Sequence, residues 1–519
     1  MNKPTNPVET HNCVSSLNDT AQTTPERRGR QDARMRLYIS LLCAALVALA
    51  PAETWAQKTP AKAKSTSKSA SAKAPAAPKQ AAPEGGTARD FALPAKEEFT
   101  LENGLRARLV PYGQVPKVTL MVAIQAGNVH EAANEVALAD LLARLLQEGT
   151  ATMSATQLAD KVARMGGSLS IAAGADQTTL RASCLSEYAP ALATLLAEVV
   201  SRPALPAAEL PRLKADLKRQ MRLALAQPGV QARQQFTGAL YGSHPYGRPL
   251  PTDAQIEALT LEMAQNFYKN QYGAQRTSVY AAGLFDAVAL RQAISSAWQG
   301  FAKGPAPLIE VAQPITRGNL LTQDRPNAPQ STIVVGLPVV DPSHPDFIRL
   351  RVMNSLLGGS FGSRITRNIR EDKGYTYSPY SYTETHYRAG NWSQNADVTT
   401  ADTYNSLREI MKEIELLQKT PPSADELQGI QNFESGMFVL RNSTPGGIIG
   451  QLNTLDLHGL PETYLTEQVR NINAVTPRQV SETARKYVRP EAMTIVVVGD
   501  KKQVDPQLKK FQAERKKPL

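Results

Sequence analysis

LTLEMAQNFYKNQYGAQRTSVYAAGLFD (residues 259–286) and VTPRQVSETARKYVRPEAMTIVVVGD (residues 475–500) are two copies of one segment. Each passes from a helical pattern through a Tyr-containing break into an apolar strand that ends in Gly. Tyr272 matches Tyr487 and Gly283 matches Gly499, at offsets of 215 and 216 residues. PAAELPRLKADL near residue 206 and SADELQGIQNF near residue 423 form a second pair. So long a period means duplicated domains, because solenoid repeats run about 20–50 residues. Working outward, strands such as Val118–Ile124, Thr332–Val335 and Thr494–Val498 alternate with amphipathic helices. Residues 136–146 keep one apolar face at Val136, Ala139, Leu142, Leu145 and Leu146. The pattern predicts an α+β domain, twice, each with helices packed on one face of a sheet. A Pro-rich polar stretch around 303–328 joins them, so the expected domains are residues 93–312 and 313–519.

The chain has 519 residues, too many for one compact domain, and its 42% hydrophobic content excludes collagen-like, wholly disordered and multi-span membrane classes. Just over half of its net charge of +11 lies outside the domains. Residues 57–88 carry six Lys and one Glu among Ala, Pro, Ser, Thr and Gln, and read, to residue 92, as a flexible tether. Residues 1–56 add +1, which leaves +5 for the rest and removes the case for nucleic acid. The uncharged run LYISLLCAALVALA (37–50) follows Arg34 and Arg36 and precedes Ala50, Ala52 and Ala56. It is too short for a spanning helix and has the layout of a secretory signal over 35–56. Residues 1–34 form a polar extension, and Met35 is a candidate start. The expected location is the periplasm without a stable membrane span, or a membrane-anchored form if the signal stays uncleaved. After processing only Cys184 remains, so no intrachain disulfide can form.

LENGLRARLVP (101–111), AGNVHEAANEVALADLLARLLQEGT (126–150), YGSHPYGRPLP (241–251) and LLGGSFGSRITRNIREDKGYTYS (356–378) occur in order between the two strand-ending glycines and around them. Together they resemble the pitrilysin/insulinase family of zinc peptidases (mitochondrial-processing-peptidase-like) in its two-domain bacterial form, over roughly residues 95–500. The resemblance implies mostly antiparallel sheets and a cleft enclosed between domains or subunits. It also implies an inverted zinc motif, His-x-x-Glu-His, on the helix before Gly149-Thr150. Two imidazoles at i and i+4 share a helix face, and the Glu acts on the metal-bound water. This sequence has Asp140, Ala143 and Arg144 at those positions, and no carboxylate within Lys218–Met221, around which the third ligand is expected. None of the six histidines lies within a helical turn of another. Asp140 followed by Arg144 reads instead as an acid-first i,i+4 pair. We therefore expect no metal in this chain, with zinc in a partner subunit.

The family's substrate-side pair is retained. An Arg and a Tyr seven residues later correspond to Arg370 and Tyr377. Guanidinium offers paired rigid donors for a peptide carbonyl or carboxylate, and a phenol can hydrogen-bond a developing oxyanion. The resemblance also assigns extended-peptide binding to a sheet edge at Gly167, Ser168 and Leu169. The resemblance thus implies a non-zinc subunit of a periplasmic heterodimeric endopeptidase for unfolded or short peptides, paired with a homologous zinc-bearing subunit. The alternative is a catalytically dead peptide-binding or assembly scaffold of the cell envelope. His244-Pro245-Tyr246 and Gly358–Gly362 read as turns, and Cys184 as a core thiol.

Overall fold

The computed structural model describes residues 91–515. The apolar run, the tether through residue 90 and the polar extension lie outside them. Six strands, β1 (Glu97–Thr100), β2 (Arg106–Pro111), β3 (Lys117–Ile124), β4 (Ser168–Ala173), β5 (Thr178–Leu185) and β6 (Thr277–Gly283), form one sheet in the order β1-β2-β6-β3-β5-β4. A second sheet takes β7 (Asn319–Asp324), β8 (Gln330–Val339), β9 (Tyr380–His386), β10 (Ala389–Thr399) and β11 (Thr494–Gly499) in the order β7-β11-β8-β10-β9. Without β1 the two orders are the same. Each has a single parallel pair, β2 with β6 and β7 with β11, in an otherwise antiparallel sheet. Gly283 and Gly499 end equivalent strands. Gly283 sits at φ +136°, and a Cβ there would overlap the carbonyl of Lys117 on β3.

Five helices position the sites: α1 (Leu138–Leu145), α2 (Ala155–Arg164), α3 (Leu210–Leu225), α4 (Pro228–Tyr241) and α5 (Pro445–His458). Outer helices cover one face of each sheet, as the apolar periodicity predicts. Val118, Leu120, Val122 and Ile124 of β3 pack there with Leu142, Leu196, Ile294 and Trp298. In the second half Ile333, Val335, Trp392 and Val497 pack with Leu407, Ile410 and Leu508.

The opposite faces are covered by reciprocal exchange. α4, from the first half, lies on β8 and β11, where Phe236 and Leu240 join Val334, Val496 and Val498. α5, from the second half, lies on β3 and β6, where Ile449, Leu452 and Leu455 join Met121, Ala123 and Tyr280. Alternate residues of a strand point to opposite faces, so the central strands bury both sets. That is why SVYAAG and TIVVVG read as unbroken small or apolar runs. Gly336 of β8 allows α4 to approach, since a Cβ there would lie 2.7 Å from Cζ of Phe236 and overlap the carbonyl of Trp392. Among the described residues no helix is long and apolar enough to cross a membrane.

Candidate functional site

The resemblance places the metal motif on α1, where Asp140, Ala143 and Arg144 now stand. Asp140 does not meet Arg144 in an ion pair, contrary to the i,i+4 expectation. It accepts instead from Asn128 Nδ2 at 2.8 Å, and the same amide nitrogen lies 3.0 Å from Oε1 of Glu131. Arg144 turns to α3, where Nη2 donates to Oε1 of Gln220. Gln220 falls within Lys218–Met221, where the resemblance expects the third ligand. The i,i+4 pair fails because Asn128 offers Asp140 a short-range donor, while the longer Arg144 side chain reaches a neutral acceptor across the helix pair. Glu131 receives the backbone amides of Ala137 (3.1 Å) and Ala139 (2.9 Å) at the start of α1. Burial pushes its carboxyl up to about 7 and raises Asp140 as well, although Asn128 opposes both. No local pattern marks Asn128, Glu131 or Gln220, because their roles depend on contacts between separate elements.

Beside α1 runs β4, the outermost strand of the first sheet. It pairs with β5 on one side only. Ser168 is exposed and Leu169 half-buried. With Gly167 they line a groove of about 280 Å³ whose other wall is Leu158, Val162 and Ala163 of α2. An unpaired strand edge along an apolar groove fits a peptide added in extended form. One edge carbonyl, of Ile171, is already taken by Nε2 of Gln147 at 3.2 Å. Gly167 has a packing duty of its own, since a Cβ there would overlap the carbonyl of Ser183 on β5. Gly167→Ala should cost about 1–3 kcal/mol in denaturant unfolding. A stability equal to wild type would show that the strand can shift to make room.

Arg370 and Tyr377 lie in the second half. An irregular helix over 364–372 ends at Gly374 (φ +67°), and the chain is pinned again where Thr376 Oγ1 donates to the carbonyl of Asp397 at 2.7 Å. On either side of these fixed points Arg370 and Tyr377 border an open depression with Gln330, Gly374 and Thr399. Tyr377 is 80% exposed. Nε of Arg370 is 3.4 Å from Glu371, and among the described residues neither Nη atom nor the Tyr377 hydroxyl has a hydrogen-bond partner. The depression contains none of the residues at the degenerate motif. Asp140 and the Arg370/Tyr377 pair therefore border different pockets of the chain.

Residues 111–253 match the model of the insulinase family (peptidase family M16), and residues 258–433 match that of the peptidase M16 inactive domain. The chain belongs to the M16 peptidase family. Relatives of this M16 chain include the uncharacterized zinc protease YmxG of Bacillus subtilis, 25% identical over 404 residues, with 75% of this chain and 95% of that one covered. An uncharacterized zinc protease of Streptomyces coelicolor is 23% identical over 416 residues, covering 78% and 90%. Among solved structures, a peptidase M16 inactive domain from Pseudomonas fluorescens has a TM-score of 0.72 at 24% identity, covering 78% and 98%. A protease from Helicobacter pylori has a TM-score of 0.74 at 18%, covering 79% and 100%.

The zinc that the M16 name implies does not fit the residues at the motif in this chain. A guanidinium, an amide and a methyl group stand where imidazoles and carboxylates would be needed, and the one carboxylate there is held by an amide nitrogen. Among the described residues no three His, Cys, Asp or Glu side chains group as a metal site. His244 serves a turn, accepting from the Tyr246 amide at Nδ1, and Cys184 is buried, its thiol pushed up to about 11.

Between the halves, Glu131, Asp140, Arg233, Tyr246, Glu384 and His386 border a cavity of about 400 Å³. His386 stacks on Tyr246 at 4.2 Å, with Asp176 and Glu384 at 3.9 and 3.7 Å and with Tyr241, Arg233, His244 and His458 nearby. Burial outweighs the two carboxylates and holds His386 below the ordinary 6.5. The folded state thus resists a proton that the unfolded chain accepts. This stability is complete above pH 6.5 and is lost as pH falls toward the folded value. Replacing His386 with Gln should flatten the fall in unfolding free energy between pH 7.5 and 5. An equally steep fall in the variant would exclude His386 as its source.

Proposed function

We propose that this chain is the metal-free subunit of a periplasmic heterodimeric zinc endopeptidase. Tyr377 faces solvent and Arg370 borders the same open depression, both with unused donors, while Asp140 and Arg144 are taken up by hydrogen bonds to Asn128 and Gln220, and that asymmetry carries the reading. In the pair, a homologous partner supplies the zinc and the water-activating carboxylate. Arg370 holds the peptide backbone, and the Tyr377 phenol donates to the oxyanion as the carbonyl is attacked. The β4 edge offers an extended segment its backbone partners, which restricts substrates to unfolded or short peptides. The apolar run at 37–50 behind Arg34 and Arg36 supports export.

The decisive measurement uses the full chain purified alone and with the homologous subunit that copurifies with it. Chelator-sensitive cleavage of a flexible fluorogenic peptide should require both chains. Chelator-sensitive cleavage by this chain alone would overturn the reading. The β4 groove also suits a scaffold that holds peptide without cutting it; in that case cleavage by the pair is indifferent to Arg370 and Tyr377.

A further inference from the structure

Phe361 is 71% exposed in the short turn over 360–363, an uncommon place for a large apolar ring so close to a tightly packed helix end. That helical segment ends at Gly358 and Gly359, where a Cβ on Gly358 would crowd Ser381 and Gln394 and one on Gly359 would crowd Asn354, so glycine lets the helix end close against β9 and β10. The turn delivers the Phe361 ring to the Arg370 guanidinium, whose Cζ lies 4.4 Å from the ring centroid. The Tyr377 ring is also stacked on Arg370, at 5.0 Å.

We infer that Phe361 is a positioning residue for Arg370. This rests on the reading of Arg370 and Tyr377 as substrate-facing groups. A guanidinium is weakly hydrated on its flat faces and stacks readily on aromatic rings. With two rings against it and Nε beside Glu371, Arg370 loses most of its rotamer freedom before any ligand arrives. Its Nη edge remains as the donor. Such an edge selects acceptors lying in its plane, a peptide carbonyl or a carboxylate, and disfavours apolar groups stacking on the guanidinium. Phe361 does not touch the reacting atoms in this arrangement; it fixes the group that does.

Phenylglyoxal modification of the purified full chain, followed by peptide mass mapping, reads the shielding directly. Phe361→Ala should raise the rate at Arg370 about threefold or more and leave the exposed Arg317, remote from this turn, unchanged as an internal reference. Phe361→Tyr should behave as wild type. In the reconstituted pair, Phe361→Ala should lower kcat/KM for a flexible peptide about tenfold, mainly through kcat, with Phe361→Tyr restoring it. If Arg370→Ala abolishes cleavage while Phe361→Ala changes neither the modification rate nor kcat/KM, the inference fails and the role of Arg370 stands. If Arg370→Ala leaves cleavage intact, the substrate-facing reading fails and the positioning role goes with it.

Discussion

Tyr377→Phe in the reconstituted pair is expected to lower kcat/KM on a flexible peptide by roughly 10²–10³, the loss typical when one donor to a developing oxyanion is removed. Arg370→Ala should fall in the same range, with more effect on substrate binding, because the donors to the peptide backbone are lost. Both side chains sit at the border of an open depression and make no hydrogen bonds at the donors in question, so neither change should disturb folding. Arg370→Lys should recover only part of the activity, since an ammonium is a point donor and cannot span two acceptors as a planar fork does. The check is steady-state kinetics on matched preparations with association of the two chains confirmed. Wild-type kcat/KM in both Arg370→Ala and Tyr377→Phe would defeat the endopeptidase proposal and favour the scaffold.

Phe236→Ala is expected to cost about 3–5 kcal/mol of unfolding free energy. The ring is 2% exposed on α4 and packs over Gly336 against the sheet of the other half. The loss should also reach the second sheet, with amide exchange rising in β8 and β11 although the mutated residue belongs to the first half. Val439→Ala, 53% exposed, should stay within about 0.5 kcal/mol. A cost below 1 kcal/mol for Phe236→Ala would mean that the exchanged helices contribute little to joining the halves.

These two expectations come from different levels of information. The duplication was legible because equivalent strands end in matched glycines and equivalent helices begin alike. The Pro228-Gly229 and Pro445-Gly446 starts of α4 and α5 belong to the same pattern, and could have been noticed. Their crossing could not, because apolar periodicity reports that a face is buried and not which sheet buries it. The strands gave a partial signal: TIVVVG has no polar alternation, so both its faces must be covered.

Loss of the metal motif was legible in the same direct way, since it concerns residue types at fixed spacing on one helix. Asp140, Ala143 and Arg144 cannot make the ligand set of two imidazoles and a carboxylate, whatever surrounds them. What replaced it depended on the fold. The i,i+4 spacing permitted a pair between Asp140 and Arg144, but Asn128 arrives from a preceding turn and Gln220 from a helix 76 residues on, and each takes one partner away. The Phe361 stack on Arg370 likewise joins a turn to the helix that follows it, through a contact that the order of residues does not state. The order of residues by itself determined that the domain is doubled, that its strands are apolar and that the ion-gripping groups are absent, because those properties are local and additive along the chain. Tertiary structure alone decided which half covers which sheet, which side chains satisfy the orphaned groups and which donors stay open to solvent, because hydrogen bonds and close packing act over a few ångströms of space irrespective of separation in sequence.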